Sequence, residues 1–209
     1  MPIKGVFVTG TDTGVGKTFV SAWAVRHWNC DYWKPVQSGT VEGWDSAEVM
    51  RLAQLPLKRV HPSTYALVEP LSPHEAARRE GVKIELDAFT LPESHHPIVV
   101  EGAGGVMVPL NDQAFIIDLM ARLGLPALVV ARSTLGTINH TLLTLEAIRA
   151  RGLPILGVVV NGPLDPHNVL AIEYYGRVPV LAQLPHLPSP DDEAIMNLPA
   201  PPPLETLHS

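Results

Sequence analysis

Nine consecutive residues, Gly10-Thr11-Asp12-Thr13-Gly14-Val15-Gly16-Lys17-Thr18, combine glycines, hydroxyls and one ammonium group at the spacing of a phosphate-binding loop. They follow a β-rich run, Gly5 to Thr9, and open a helix-like stretch from Lys17 to His27. That strand-turn-helix context gives a P-loop motif its meaning. Glycines let the backbone curl so that successive N–H groups converge on phosphate oxygens, and the helix N-terminus adds its partial positive charge. Lys17 would then bridge the β- and γ-phosphates of a nucleoside triphosphate, and the Thr18 hydroxyl would coordinate Mg2+. Five residues separate Gly10 from Gly16-Lys17-Thr18, one more than in the standard consensus. The bland alternative, a glycine-rich turn with a solvent-facing lysine, does not need a strand before it and a helix after it.

Further groups with chemistry recur at expected strand ends. Lys34-Pro35-Val36-Gln37-Ser38-Gly39 sits at the carboxyl edge of the second strand, where open α/β sheets bind ligands. Pro35 disfavours helix for Lys34, so the ammonium group is held where it can offset charge developing in phosphoryl transfer. Asp45-Ser46-Ala47-Glu48 reads equally as a helix capping box and as a source of a magnesium carboxylate. Glu101 ends the apolar Ile98-Val99-Val100 run and is followed by Gly102-Ala103-Gly104-Gly105, so a carboxylate is presented into a glycine-lined cleft. Asn139, in Gly136-Thr137-Ile138-Asn139-His140, is a helix cap or a ligand contact, and Asn161-Gly162-Pro163 is an ordinary turn or a second such contact. The nine histidines show no metal-ligand spacing, so no metal besides magnesium is expected.

These residues need a scaffold that aligns strand ends, and the sequence offers one. Strands are expected over Gly5 to Thr9, Tyr32 to Val36, Ile98 to Glu101, Ala127 to Ala131, Ile155 to Asn161 and Val178 to Leu184. Helices are expected near Lys17 to His27, Asp45 to Ala53, Phe115 to Leu123, Ile138 to Ala150 and His167 to Tyr175. Strands alternating with helices predict an α/β fold, a doubly wound, mostly parallel sheet with helices on both faces. Leu128-Val129-Val130 and Val158-Val159-Val160 are apolar throughout, as strands covered on both sides must be. Gly124-Leu125-Pro126 and Gly152-Leu153-Pro154 each supply a left-handed helix cap and a stop before the next strand. From Pro185 onward, seven prolines and no sustained periodicity predict a tail that wraps the surface or is partly disordered.

Composition narrows the classes. The 209 residues fit a single domain over residues 1–209, able to bury roughly 70% of the unfolded chain's surface. With 46% hydrophobic and 17% charged residues and no long apolar run, a membrane role is not expected. A net charge of −6 with scattered Lys and Arg argues against nucleic acid. The N-terminal run lacks the features of a signal peptide and Cys30 is the only cysteine, so a cytoplasmic location is expected.

The order of motifs, Gly10 to Thr18 with its lengthened loop, Lys34 to Gly39, Glu101 to Gly105 and Gly136 to His140, resembles the dethiobiotin synthetase family. The resemblance runs from about Phe7 to Pro185 and implies ATP-dependent ring closure of 7,8-diaminopelargonic acid with CO2, in a homodimer with the site at its interface. It implies magnesium ligands at Thr18, Asp45 and Glu101, and catalytic roles for Thr13, Lys17 and Lys34. Nucleotide contacts are implied at Asp12, Thr13, Gly14, Val15, Gly16, Lys17, Thr18, Phe19, Asn161 and Pro185, with Asn161 reading the adenine. Substrate contacts are implied at Ser38, Gly104, Gly105 and Asn139, the last from the neighbouring subunit. Some members of the family carry an acidic residue where Gly14 stands. A partitioning or carrier-type switch ATPase is the alternative reading; such proteins often place a lysine early in the loop, where Thr11, Asp12 and Thr13 stand here.

Overall fold

The strand nearest the N-terminus, β1 (Gly5–Gly10), is the axis of the molecule. It is buried along its whole length, because Val6 and Val8 point to one face while Phe7 points to the other and both faces are covered by helices. The computed structural model describes residues 4–187 and 190–207; Met1 to Ile3, and residues 188, 189, 208 and 209 of the expected tail, lie outside them. Along the chain follow α1 (Lys17–Trp28), β2 (Asp31–Trp33), β3 (Val36–Gln37), α2 (Asp45–Ala53), β4 (Val60–His61) and β5 (Tyr65–Ala66). Then come α3 (Pro73–Glu80), β6 (Ile98–Gly105), α4 (Ile116–Leu123), β7 (Ala127–Arg132) and α5 (Thr137–Ala150). The last elements are β8 (Ile155–Asn161), α6 (Pro166–Gly176), β9 (Val180–Leu184) and α7 (Asp192–Met196).

Seven strands form one sheet in the order β4-β2-β6-β1-β7-β8-β9, and every pair in it is parallel. From β1 the chain first builds one side of the sheet and later returns to build the other, so the carboxyl ends of β1 and β6 open onto a crevice. One apolar layer joins Val6, Val8, Val99, Leu128 and Val130 to α1 and α2. The opposite layer joins Phe7, Val100 and Val129 to α4, α5 and α6. The alternation of strand side chains between these two layers is what places a given residue on the α1/α2 side or the α4/α5 side.

Three expectations need correction, and a fourth, the tail, is resolved between its two alternatives. The second strand does not run to Val36: β2 stops at Trp33, and Val36–Gln37 pairs instead with Tyr65–Ala66 in a separate two-stranded ribbon. Pro35 has no N–H to continue a ladder, and its carbonyl accepts from the N–H groups of Thr64 and Tyr65. The third strand does not end at Glu101 but continues through Gly105, which aligns with Gly10. The capping box at Asp45 does not form, because Trp44 is the cap residue and Glu48 turns to Arg51 at 2.7 Å. Of the two alternatives for the tail, residues 190–207 take the first and wrap onto α1: α7 is capped by Asp191, Ile195, Leu198 and Leu204 are buried, and Trp23 and Trp28 donate to the carbonyls of Pro199 and Pro202, each at 2.9 Å. The two αβ junctions form as expected, with Gly124 and Gly152 both left-handed at φ 65°.

Candidate active site

The loop between β1 and α1 folds tightly over the sheet edge. Gly16 caps α1 at φ 91°, in the left-handed region, and a side chain there would lie 2.1 Å from Asn161 Nδ2. Lys17 turns its ammonium group back to the Asp12 carbonyl at 3.1 Å. Burial is the largest influence on Lys17 and pulls its pKa below the ordinary lysine value.

Facing the loop is a connected polar cluster. Glu101 is fully buried, and its Oε1 accepts from Thr18 Oγ1 and from Lys34 Nζ, both at 3.0 Å. Its Oε2 accepts from the Tyr32 hydroxyl at 2.9 Å. Lys34 also pairs with Asp45, at the start of α2. Burial alone would pull the Lys34 ammonium down, but Glu101 and then Asp45 outweigh it and hold its pKa above the ordinary value. Tyr32 is held well above the usual phenol range, first by burial and then by the Glu101 charge, so its hydroxyl is a neutral donor. Gln37 supports the cluster: its Oε1 accepts from the Asp45 N–H at 3.3 Å, giving α2 the cap that Trp44 cannot supply.

A cavity of about 580 Å³ runs between the loop and this cluster. Of the residues expected from sequence, it brings together Thr13, Gly14, Gly16, Lys17, Thr18, Lys34, Ser38, Asp45, Glu101 and Gly104. The Ser38 hydroxyl is buried there without a protein partner among the described residues. Its other wall, Pro70 to Pro73 at the start of α3, together with Gln37, Glu42, Ala103 and Val108, was not foreseen. The signal for α3 was readable, since Ser72-Pro73-His74-Glu75 sets a cap residue, proline at the first helical position and an acidic residue in the first turn.

The remaining expected residues lie outside this cavity. Val15 is core, and Phe19 packs against the same layer. Asn161 ends β8, and its Nδ2 donates to the Val15 carbonyl at 3.0 Å. Pro185 follows β9. Gly105 and Asp12 line a second depression of about 470 Å³, with His140 and Leu143 of α5. Asn139 is exposed on the first turn of α5.

The donor set suits magnesium. Among the described residues no three His, Cys, Asp or Glu side chains cluster as a self-sufficient metal site. Magnesium bound with a nucleotide needs only one or two carboxylates beside phosphate oxygens, and Glu101 and Asp45 offer hard oxygen. The Thr18 proton is committed to Glu101, which leaves that hydroxyl's lone pairs available to a cation.

Comparison with known proteins agrees with this geometry. Residues 4–194 match a family model described as an AAA domain. The ATP-dependent dethiobiotin synthetase of Paramagnetospirillum magneticum is 58% identical across 95% of this chain and 96% of its own length. The biotin biosynthesis bifunctional protein of Bordetella avium is 56% identical across 92% of this chain, which spans 42% of that longer protein. Among solved structures, a ParA family ATPase from Chlorobium tepidum superposes with a TM-score of 0.55 at 14% identity, covering 92% of this chain and 88% of its own; that likeness shows the P-loop fold alone. A phosphate loop facing a lysine and two carboxylates, carried on a sequence this close over nearly its whole length to a named synthetase, places the chain in the dethiobiotin synthetase family of ATP-dependent ligases in biotin biosynthesis.

Proposed function

We propose that the cavity carries out ATP-dependent carboxylation and ring closure of 7,8-diaminopelargonic acid with CO2, giving dethiobiotin, ADP and phosphate. The observation that carries this reading is the presence of two buried ammonium groups, Lys17 and Lys34, on the wall of one cavity with Ser38 and Gly104. One lysine suffices to hold a triphosphate; a second, fixed beside it, suits an anionic acceptor that must approach the γ-phosphate. A cavity of about 580 Å³ holds a small ligand beside phosphates, and Leu71, Ala103 and Val108 give it an apolar side for an aliphatic chain.

In this mechanism one amine of the substrate takes up CO2 as a carbamate and releases a proton. The carbamate oxygen attacks the γ-phosphorus and ADP leaves, giving a carbamic-phosphoric anhydride. The second amine attacks the carbonyl carbon and closes the ureido ring as the C–O bond to phosphate breaks; its proton leaves with the expelled phosphate. Lys17 holds the β- and γ-phosphates, Lys34 offsets the negative charge of the carbamate and the transferring phosphoryl group, and Thr13 and Ser38 orient those oxygens. Thr18, Asp45 and Glu101 would hold Mg2+, which supplies charge neutralisation between the phosphates when bound.

Asn139 is exposed and lies outside its own cavity, which suits a contact made to the substrate carboxylate of a second subunit in a homodimer. Asn161 and Pro185, beyond the P-loop, are assigned to the adenine end. The test is phosphate release from Mg-ATP with and without 7,8-diaminopelargonic acid and bicarbonate. The diamine is expected to raise the rate at least about tenfold, a barrier change of roughly 1.4 kcal/mol. Equal rates in its presence and absence would remove the ligase reading and leave a basal ATPase.

A further inference from the structure

Tyr32 looks like core. It lies at the middle of a three-residue strand, is fully buried, and packs in the apolar layer under α1 and α2. Phenylalanine would fill that volume equally well, and it would avoid the desolvation of a hydroxyl that must find a partner. The hydroxyl therefore needs a reason, and its one hydrogen bond points to it: the 2.9 Å bond to Oε2 of Glu101.

Strand pairing makes this bond rigid. Tyr32 aligns with Val60 on one side and Val99 on the other, so its backbone is held by β4 and β6 together. Glu101 lies two residues beyond Val99 on β6, so alternation sends both side chains to the α1/α2 face. The last torsion of a glutamate side chain is broad and nearly two-fold, so a carboxylate held through one oxygen alone can swing. Here the oxygens have separate duties. Oε1 meets Thr18 and Lys34 on the cavity side, and Oε2 is occupied in the core. We propose that Tyr32 is a positioning residue that pins Oε2 of Glu101 and so presents Oε1, in one orientation, to the metal-nucleotide. This rests on the reading of Glu101 as a magnesium ligand. Magnesium demands near-ideal octahedral geometry, and so is sensitive to how that oxygen is aimed.

The test uses the full chain as Tyr32→Phe, Glu101→Gln and the double variant. Mn2+-dependent binding of a non-hydrolysable ATP analogue is measured by calorimetry, beside the analogue's affinity in EDTA and the Mg2+ concentration giving half-maximal turnover. Tyr32→Phe is expected to weaken the metal-dependent binding, and to raise the Mg2+ requirement, by about tenfold. Affinity in EDTA and the Michaelis constant for the diamine are expected to stay within about twofold, since neither depends on the aim of Oε1. In the Glu101→Gln background, Tyr32→Phe is expected to add less than about twofold, because its effect passes through that carboxylate. An equal loss in both backgrounds, or no loss beside an unaltered Glu101, would overturn the positioning role while leaving Glu101 as a ligand. Unchanged metal-dependent binding in Glu101→Gln itself would overturn both readings. If Tyr32→Phe alone does not fold, the double variant, which has no buried carboxylate left without its donor, carries the comparison with Glu101→Gln: a shared metal affinity supports the role and a further loss overturns it.

Discussion

Lys34 and Lys17 carry the same charge but are held in different ways. Lys34 is clamped between Glu101 and Asp45, whereas among the described residues the Lys17 ammonium has no carboxylate partner and donates to the Asp12 carbonyl. Lys34→Ala leaves a fully buried carboxylate without its cation, a change that typically costs roughly 3–5 kcal/mol. For a chain of this size that is a fall in thermal midpoint of about 10 °C. Lys17→Ala removes no such partner and should leave the midpoint within about 2 °C. Both variants should lose at least about 10²-fold in turnover, since each deletes a charge needed most in the transition state. Thermal melts beside phosphate-release assays check the split; a shared drop in midpoint would show that Lys17 too holds the structure together. That Lys34 and the P-loop would line a cleft was legible because each follows a strand beside proline or glycine, and Glu101 because glycines follow it, although its strand runs on to Gly105. Asp45 was ambiguous because a capping box and a ligand use the same residue types. Tyr32 was not legible beside the site, since its partner Glu101 is 69 residues away and strand pairing brings the two together, and Gln37 was not because its bond to the Asp45 N–H depends on how the turn between β3 and α2 folds.

At the level of elements, the long periodic pieces were readable. α2 and β8 have the bounds the sequence suggested, because their apolar spacing and flanking residues agree. The two-residue strands β3, β4 and β5 were missed or misjoined, as pieces that short carry no periodicity. For the proline-rich end the sequence left wrapping and disorder both open, and the described part wraps. Its order comes from α1, whose two tryptophans donate to carbonyls that proline leaves free of any ladder. Ile195, Leu198 and Leu204 add about 1.5–3 kcal/mol each when buried. Removing residues 190–209 is expected to lower the thermal midpoint by at least about 5 °C and to shift tryptophan emission to the red as Trp23 and Trp28 gain water. An unchanged melt and spectrum would show that these contacts contribute nothing.

The whole molecule presents apolar groups that its own fold does not cover. Met107 and Leu143, 54% and 62% exposed, stand together at the second depression, one turn along α5 from Asn139. If that face joins two subunits, sedimentation equilibrium of the wild type should give twice the 22.6 kDa chain mass, and Leu143→Glu should return it toward a single chain. A wild type that sediments as one chain at assay concentration would remove the homodimer, and with it the cross-subunit role of Asn139. Fold class was the most legible property at this scale, because strands alternating with helices leave few packings of a parallel sheet. The position of β1 has a consequence for persistence. With β6 on one side and β7 on the other, it is among the last parts of the sheet to open when the edges fray, so amide hydrogens beneath the phosphate loop should be the slowest in the chain to exchange with solvent. The nucleotide cradle therefore outlasts partial unfolding of β4 and β9, and fluctuations at the rim leave its floor intact.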